Sequence, residues 1–157
     1  MKEEMEHANL IELPNELLLK EVRALLAEGH DVTLRVRGVS MRPFLEDRRD
    51  KIVLTKPLEC KVGDAVLAEI APGRYVFHRI VKLEEDRVVL KGDGNVYGTE
   101  QCYLENIAAS AKLLVRKGRG YSPESRAWRW YSALWPSNPL ARRVLLAIHR
   151  RLPKSWR

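Results

Sequence analysis

The stretch Val32-Thr33-Leu34-Arg35-Val36-Arg37-Gly38-Val39-Ser40-Met41-Arg42-Pro43 decides how the chain is read. Its first half alternates, with Val32, Leu34 and Val36 on one side and Thr33, Arg35 and Arg37 on the other. A period of two is that of a half-buried β-strand. Gly38 ends the strand by permitting a backbone conformation that other residues resist. Pro43 stiffens the following loop by fixing its own φ. Between them stands Ser40, a hydroxyl delivered just past the end of a strand. Taken alone, such a serine is usually a turn residue that bonds its own backbone.

The strand pattern recurs downstream. Residues 52–54, 65–70, 75–81, 87–90 and 107–116 read as further strands. Turn signals separate them: Val62-Gly63-Asp64, Ala71-Pro72-Gly73, Glu84-Glu85-Asp86 and Gly92-Asp93-Gly94-Asn95. Short strands at this spacing predict a mainly β fold, a curled antiparallel sheet or partly open barrel. Ahead of them, residues 1–13 read as polar and irregular. Pro14-Asn15 then opens a helical pattern in which Leu18, Val22, Leu25 and Leu26 form one stripe, and Gly29 supplies a stop.

At 157 residues, 45% hydrophobic and 31% charged, the chain can bury a real core and is not of disordered composition. Cys60 and Cys102 have neither metal-ligand nor redox spacing, and they read as ordinary thiols. No apolar run is long enough to span a membrane. The acidic start Met1-Lys2-Glu3-Glu4-Met5-Glu6 has no apolar core of a secretory signal, so the cytoplasm is the expected compartment.

Charge is uneven. Residues 117–157 hold ten Lys or Arg against one acid, Glu124, and all four tryptophans. The rest of the chain is slightly acidic. This break predicts three parts: a segment and helix over 1–31, a β domain over 32–116, and a basic Trp- and Arg-rich helical tail over 117–157. In the tail, Ser122-Pro123 predicts one helix start, with Ala127, Tyr131, Leu134 and Trp135 sharing a face. Asn138-Pro139 predicts a second, ended by Pro153, with Leu140, Val144 and Ile148 on its apolar side and Arg142, Arg143 and Arg150 away from it. Tryptophan beside arginine suits the headgroup level of an anionic membrane, which makes residues 122–157 a candidate peripheral membrane contact at the inner face. The bland alternative is a pair of helices covering the sheet with a basic outer face. Nucleic acid is a poorer partner, because no reader motif accompanies the charge.

Three residues carry candidate chemistry: Ser40, His78 in Phe77-His78-Arg79, and Asp93 in Lys91-Gly92-Asp93-Gly94-Asn95. A serine hydroxyl is a poor nucleophile until a base takes its proton. Histidine has the ordinary pKa suited to that task. A carboxylate can hold the imidazole in the productive tautomer. Each residue alone has a structural reading: turn serine, core histidine, hairpin aspartate. Among the neighbours, Met41 and Pro43 are candidates for shaping a substrate pocket, and the alternative for Met41 is a core plug.

These segments resemble, in order and over about residues 32–116, the signal peptidase family and, more loosely, the related self-cleaving repressor peptidases. Ser40-Met41-Arg42-Pro43 resembles the nucleophile box, and Gly63-Asp64-Ala65-Val66 resembles the Gly-Asp-x-Val box. Phe77-His78-Arg79 and Lys91-Gly92-Asp93-Gly94-Asn95 resemble the boxes of the archaeal and endoplasmic-reticulum Ser–His form. The resemblance implies an all-β serine endopeptidase that uses no metal or organic cofactor. It implies a substrate lying as an added strand, with small residues before the cut, and processing of a peptide or precursor protein. The chain departs from the family in lacking the expected N-terminal membrane anchor. The family's second Asp is replaced by Thr99, with Glu100 beside it, so the residue that orients His78 is either Asp93 or Glu100. The alternative function is a peptide-binding or scaffolding module on the same fold without turnover.

Overall fold

The computed structural model describes residues 15–157. The readings of residues 1–13 and of Pro14 lie outside the described residues, as does the Leu18 side chain. Helix α1 (Asn15–Ala27) forms where Leu19, Val22 and Leu26 recur at helical spacing, and all three are buried. Leu25 was expected on this face and is exposed instead, because it lies about 100° round the helix from Leu26. The amides of Gly29 and His30 close the helix end on the carbonyls of Leu26 and Leu25.

Among the described residues eight strands form one antiparallel sheet: β1 (Val32–Arg35), β2 (Lys51–Thr55), β3 (Ala65–Ala71), β4 (Arg74–Glu84), β5 (Arg87–Lys91), β6 (Glu100–Tyr103), β7 (Ile107–Arg116) and β8 (Arg119–Tyr121). The order is β1-β2-β7-β3-β4-β5-β6, with β8 beside β7. β1 and β6 do not pair, so the sheet is curled but open. Register shifts at Val53/Leu54, Leu67/Ala68, Glu69/Ala71 and Ile80/Lys82 supply local bends. β6 and β8 were not anticipated. Each is short and polar, without the β-branched alternation that marks β2 or β7.

The larger core joins Leu19, Val22 and Leu26 of α1 to Leu54, Ala109 and Leu114 of the sheet, and to Met41, Leu45 and Trp128. A second cluster of Val66, Ala68, Ile80, Val88, Leu90 and Ile107 packs against Cys60 and Cys102. Both thiols are free, and burial pushes both above their usual range.

The tail forms α2 (Arg126–Leu134) and α3 (Pro139–Arg151). α2 starts at Ser125, whose hydroxyl accepts from Trp128 N at 3.3 Å, and not at Ser122-Pro123. Trp128 is buried and Tyr131 half-buried, whereas Leu134 points outward. α3 starts at Asn138-Pro139 as the sequence predicts, with the Asn138 side chain accepting from Leu140 and Ala141 at 2.9 and 3.2 Å. Its orientation is the reverse of the expected one. Arg142, Leu146 and His149 face inward, while Leu140, Val144 and Ile148 are 70%, 50% and 52% exposed. The cause is hydrogen bonding. Arg142 donates to the carbonyls of Gly92 (3.3 Å), Asn95 (3.0 Å) and Pro136 (3.1 Å), and His149 meets Glu46 at 3.3 Å. Loop carbonyls need donors when they are covered, and an apolar face offers none.

Candidate active site

His78 lies on β4, buried, on the face of the sheet that carries Ile80. The register aligns Ile80 with Leu90 on β5 and Leu90 with Glu100 on β6. Glu100 therefore sits two strands over from His78 and reaches it along the diagonal. Its carboxylate oxygen is 2.9 Å from His78 Nδ1. A carboxylate only accepts, so in the neutral ring this contact places the proton on Nδ1 and leaves Nε2 with a lone pair to receive one.

The other side of His78 meets the serine loop over a glycine. A methyl group built on Gly92 would lie 2.5 Å from the Ser40 carbonyl oxygen and 3.0 Å from His78 Nε2. One built on Gly94 would lie 2.2 Å from the Val39 carbonyl oxygen. Neither glycine has a positive φ. Both are needed for close approach, a role distinct from the turn signal that the sequence suggests. The contact is fastened by the Gly94 amide, which donates to the Ser40 carbonyl at 2.7 Å. Among the described residues nothing accepts the Ser40 N–H, which leaves it available as an oxyanion donor. Among them, too, no hydrogen bond joins the Ser40 hydroxyl to His78. Catalytic contacts of this kind are often loose without substrate and tighten when it binds.

The serine loop is rigid for reasons that the motif does not reveal. Gly38 turns with φ 83°, and its amide donates to Asp47 at 2.7 Å. Fully buried Asp50 accepts from the amides of Glu46 (2.7 Å) and Lys117 (3.0 Å) and pairs with Arg49. Burial opposes the Asp50 charge, but these donors outweigh it and hold the carboxyl below its usual range. Asp47 and Asp50 were missed, since nothing in the sequence distinguishes a loop-bracing aspartate from a solvated one.

Asp93 is buried beside His78's strand, but its carboxylate faces elsewhere. It takes two hydrogen bonds from Arg79, at 2.9 and 2.7 Å, and one from the Tyr131 hydroxyl at 2.7 Å. Its carbonyl accepts from the Trp135 indole at 3.0 Å. Arg79 in turn donates to Gly63 O and Ser132 Oγ and lies 4.5 Å from the Trp128 ring centre. Burial works against the Arg79 charge, yet Asp93 raises its pKa; burial and the same carboxylate push the Tyr131 phenol well above its usual value. The orienting contact expected of Asp93 is thus made by Glu100, because Arg79 and Tyr131 occupy the aspartate. Asp93 joins the tail to the sheet.

Of the two pocket candidates, Met41 diverges from expectation. Met41 is 3% exposed and belongs to the main core, so it is the plug and not a pocket wall. Pro43 follows a cis peptide bond, and its carbonyl accepts from Arg116 at 2.8 Å. Asp64 closes its turn by accepting from Lys61 N at 2.9 Å.

A serine on a braced loop, its backbone carbonyl packed over Gly92 beside an imidazole whose far nitrogen is held by a carboxylate, supplies the parts of an acyl-transfer site. The chain belongs to the Peptidase S24-like family, whose pattern matches residues 3–114. No curated protein matches it. The match spans Ser40, His78, Asp93 and Glu100 and ends before α2 and α3.

Proposed function

We propose that the chain is a serine endopeptidase of the Ser–His form, cutting a peptide or precursor protein. Ser40 Oγ attacks the carbonyl as His78 Nε2 takes its proton. The Ser40 amide stabilises the oxyanion, and His78 then gives the proton to the leaving amine. Water repeats the sequence to release the acyl group. Glu100 holds the tautomer and stabilises the imidazolium. The observation that carries this reading is the His78–Glu100 pair set over Gly92 against Ser40. Substrate adds as an extended strand, for which the edges of β1 and β6, unpaired among the described residues, offer backbone groups. Small residues precede the cut, as in the signal peptidase family that the motifs resemble.

The test is digestion of a diverse peptide mixture read by mass spectrometry. Cuts made by the wild type should vanish in Ser40→Ala and His78→Ala. Cuts that survive both substitutions refute the assignment. Binding of peptides without any cut would favour a binding module.

We further propose that the enzyme works at the anionic inner surface of a membrane, held by α3. Its outward stripe of Leu140, Val144 and Ile148 is apolar, and the tail around it is strongly cationic. That charge complements anionic lipid and opposes pairing of two such faces. No helix among the described residues is long and apolar enough to cross a membrane, so the proposed contact is peripheral.

A further inference from the structure

A cavity of about 170 Å³ opens beside the nucleophile loop. Val39 and Arg42 line it from that loop, Gly94 and Val96 from the segment after β5, and Arg143, Leu146 and Arg150 from α3. Ser40 does not itself line it, but three of its walls flank that residue: Val39 and Arg42 on either side in the loop, and Gly94, whose amide donates to the Ser40 carbonyl. Its lining has two characters. Val39, Val96 and Leu146 are apolar, and the remaining side chains are three guanidinium groups.

The cations are unequal. Arg42 donates from Nε to Glu46 at 2.9 Å, and Glu46 also meets His149. Burial opposes ionisation of Glu46, but Arg42 and His149 outweigh it and keep the carboxyl below its usual range. That carboxylate is therefore occupied. Arg143 and Arg150 are exposed, and among the described residues neither has a carboxylate partner. Seven residues apart, they fall within about 20° of each other round the helix. They form a two-turn cationic flank between the inward face of α3 and its outward apolar stripe. Among the described residues no carboxylate lines the cavity.

We propose that this cavity is a substrate subsite for a carboxylate held close to the scissile bond. An aliphatic stem would lie against Val39, Val96 and Leu146, and Arg143 and Arg150 would receive the charged end in fork geometry. A Glu or Asp side chain of the substrate and a chain-terminal carboxylate share this chemistry. The inference rests on Ser40 being the nucleophile, because the cavity gains its meaning from adjoining it.

The test measures binding apart from turnover. Full-length Ser40→Ala is titrated with fluorescent alanine- and serine-rich dodecapeptides in matched pairs, Glu against Gln at each position, with free or amidated C-termini. One Glu position should bind about 10-fold more tightly than its Gln partner, as one charge-assisted contact would give. If the free C-terminus is the ligand, amidation should cause that loss instead. The preference should disappear in Arg143→Gln/Arg150→Gln and turn toward Lys in Arg143→Glu/Arg150→Glu. Both arginines are exposed, and circular dichroism checks that these variants keep the fold. Equal binding of all pairs, or a preference unchanged by the double substitutions, overturns the subsite. Cleavage by the wild type without any carboxylate preference would sink the subsite and leave the peptidase standing. Carboxylate-selective binding with no Ser40-dependent cleavage would do the reverse.

Discussion

Glu100 and Asp93 both lie near His78, and substitution should separate their roles. Glu100 is 2.9 Å from Nδ1 and partly exposed, so Glu100→Gln should leave the thermal midpoint nearly unchanged. It should lower kcat by on the order of 10²–10⁴, because the amide no longer enforces the tautomer or stabilises the imidazolium. Asp93→Asn should act mainly on stability. It leaves a largely buried Arg79 without its counter-charge, a loss of roughly 3–5 kcal/mol measurable by urea unfolding. Gly92→Ala offers a third check. Its methyl would need the space of the Ser40 backbone carbonyl and His78 Nε2, so activity and the thermal midpoint should fall together. Ser40 and His78 could be singled out as candidates because each sits in a box with a recognisable order of neighbours. Glu100 remained only an alternative, since Glu100-Gln101-Cys102-Tyr103 carries no pattern that announces β6. Without β6 there is no register to carry a carboxylate across to β4. Asp93 misled for the opposite reason. Its box is conspicuous, but nothing in it tells that the carboxylate pairs with Arg79, next to His78, and with Tyr131 in the tail.

At the scale of elements, β2, β3, β4, β5 and β7 were legible from alternation and turns. α3 shows where such reading stops. Its period was plain, but a period does not say which face turns inward. Arg142 and His149 find acceptors on the loops beneath, and the apolar stripe is left outside. This has a measurable consequence for the proposed membrane contact. Wild type should co-sediment with vesicles of 30% phosphatidylserine and weakly with pure phosphatidylcholine. Val144→Asp/Ile148→Asp should reduce the anionic-vesicle binding at least 10-fold without changing the midpoint of unfolding. Equal binding by the variant would remove α3 from the contact.

Across the whole molecule, the tail and the sheet are joined by charged and titratable groups, so docking should depend on pH. Burial lowers His149 below its ordinary 6.5, against the pull of Glu46. The unfolded chain then binds that proton more readily than the folded one, and stability falls as pH drops through about 6.5. Glu46 and Asp50 are held below 4.5 and 3.8, so their contributions are present above those values and lost on further acidification. Asp64, raised by burial, works in the opposite sense. The midpoint of thermal unfolding should therefore decline in two steps between pH 7 and pH 3. His149→Gln should remove the upper step and keep the lower. The charge break near residue 117 was visible in composition. What composition could not show is that the tail is fastened at the site itself, through Trp135 and Tyr131 on Asp93 and Arg142 on Gly92.

The proposed mechanism requires Ser40 to act as a covalent nucleophile. The most direct measurement is acid quenching of the enzyme during turnover of a cleaved peptide, followed by intact and peptide-level mass spectrometry. An acyl adduct equal to the amino-terminal fragment of the substrate, less water, should be found attached at Ser40 and be absent from Ser40→Ala. Turnover that leaves Ser40 unmodified while an adduct forms on another residue, or that persists in Ser40→Ala, would contradict that mechanism.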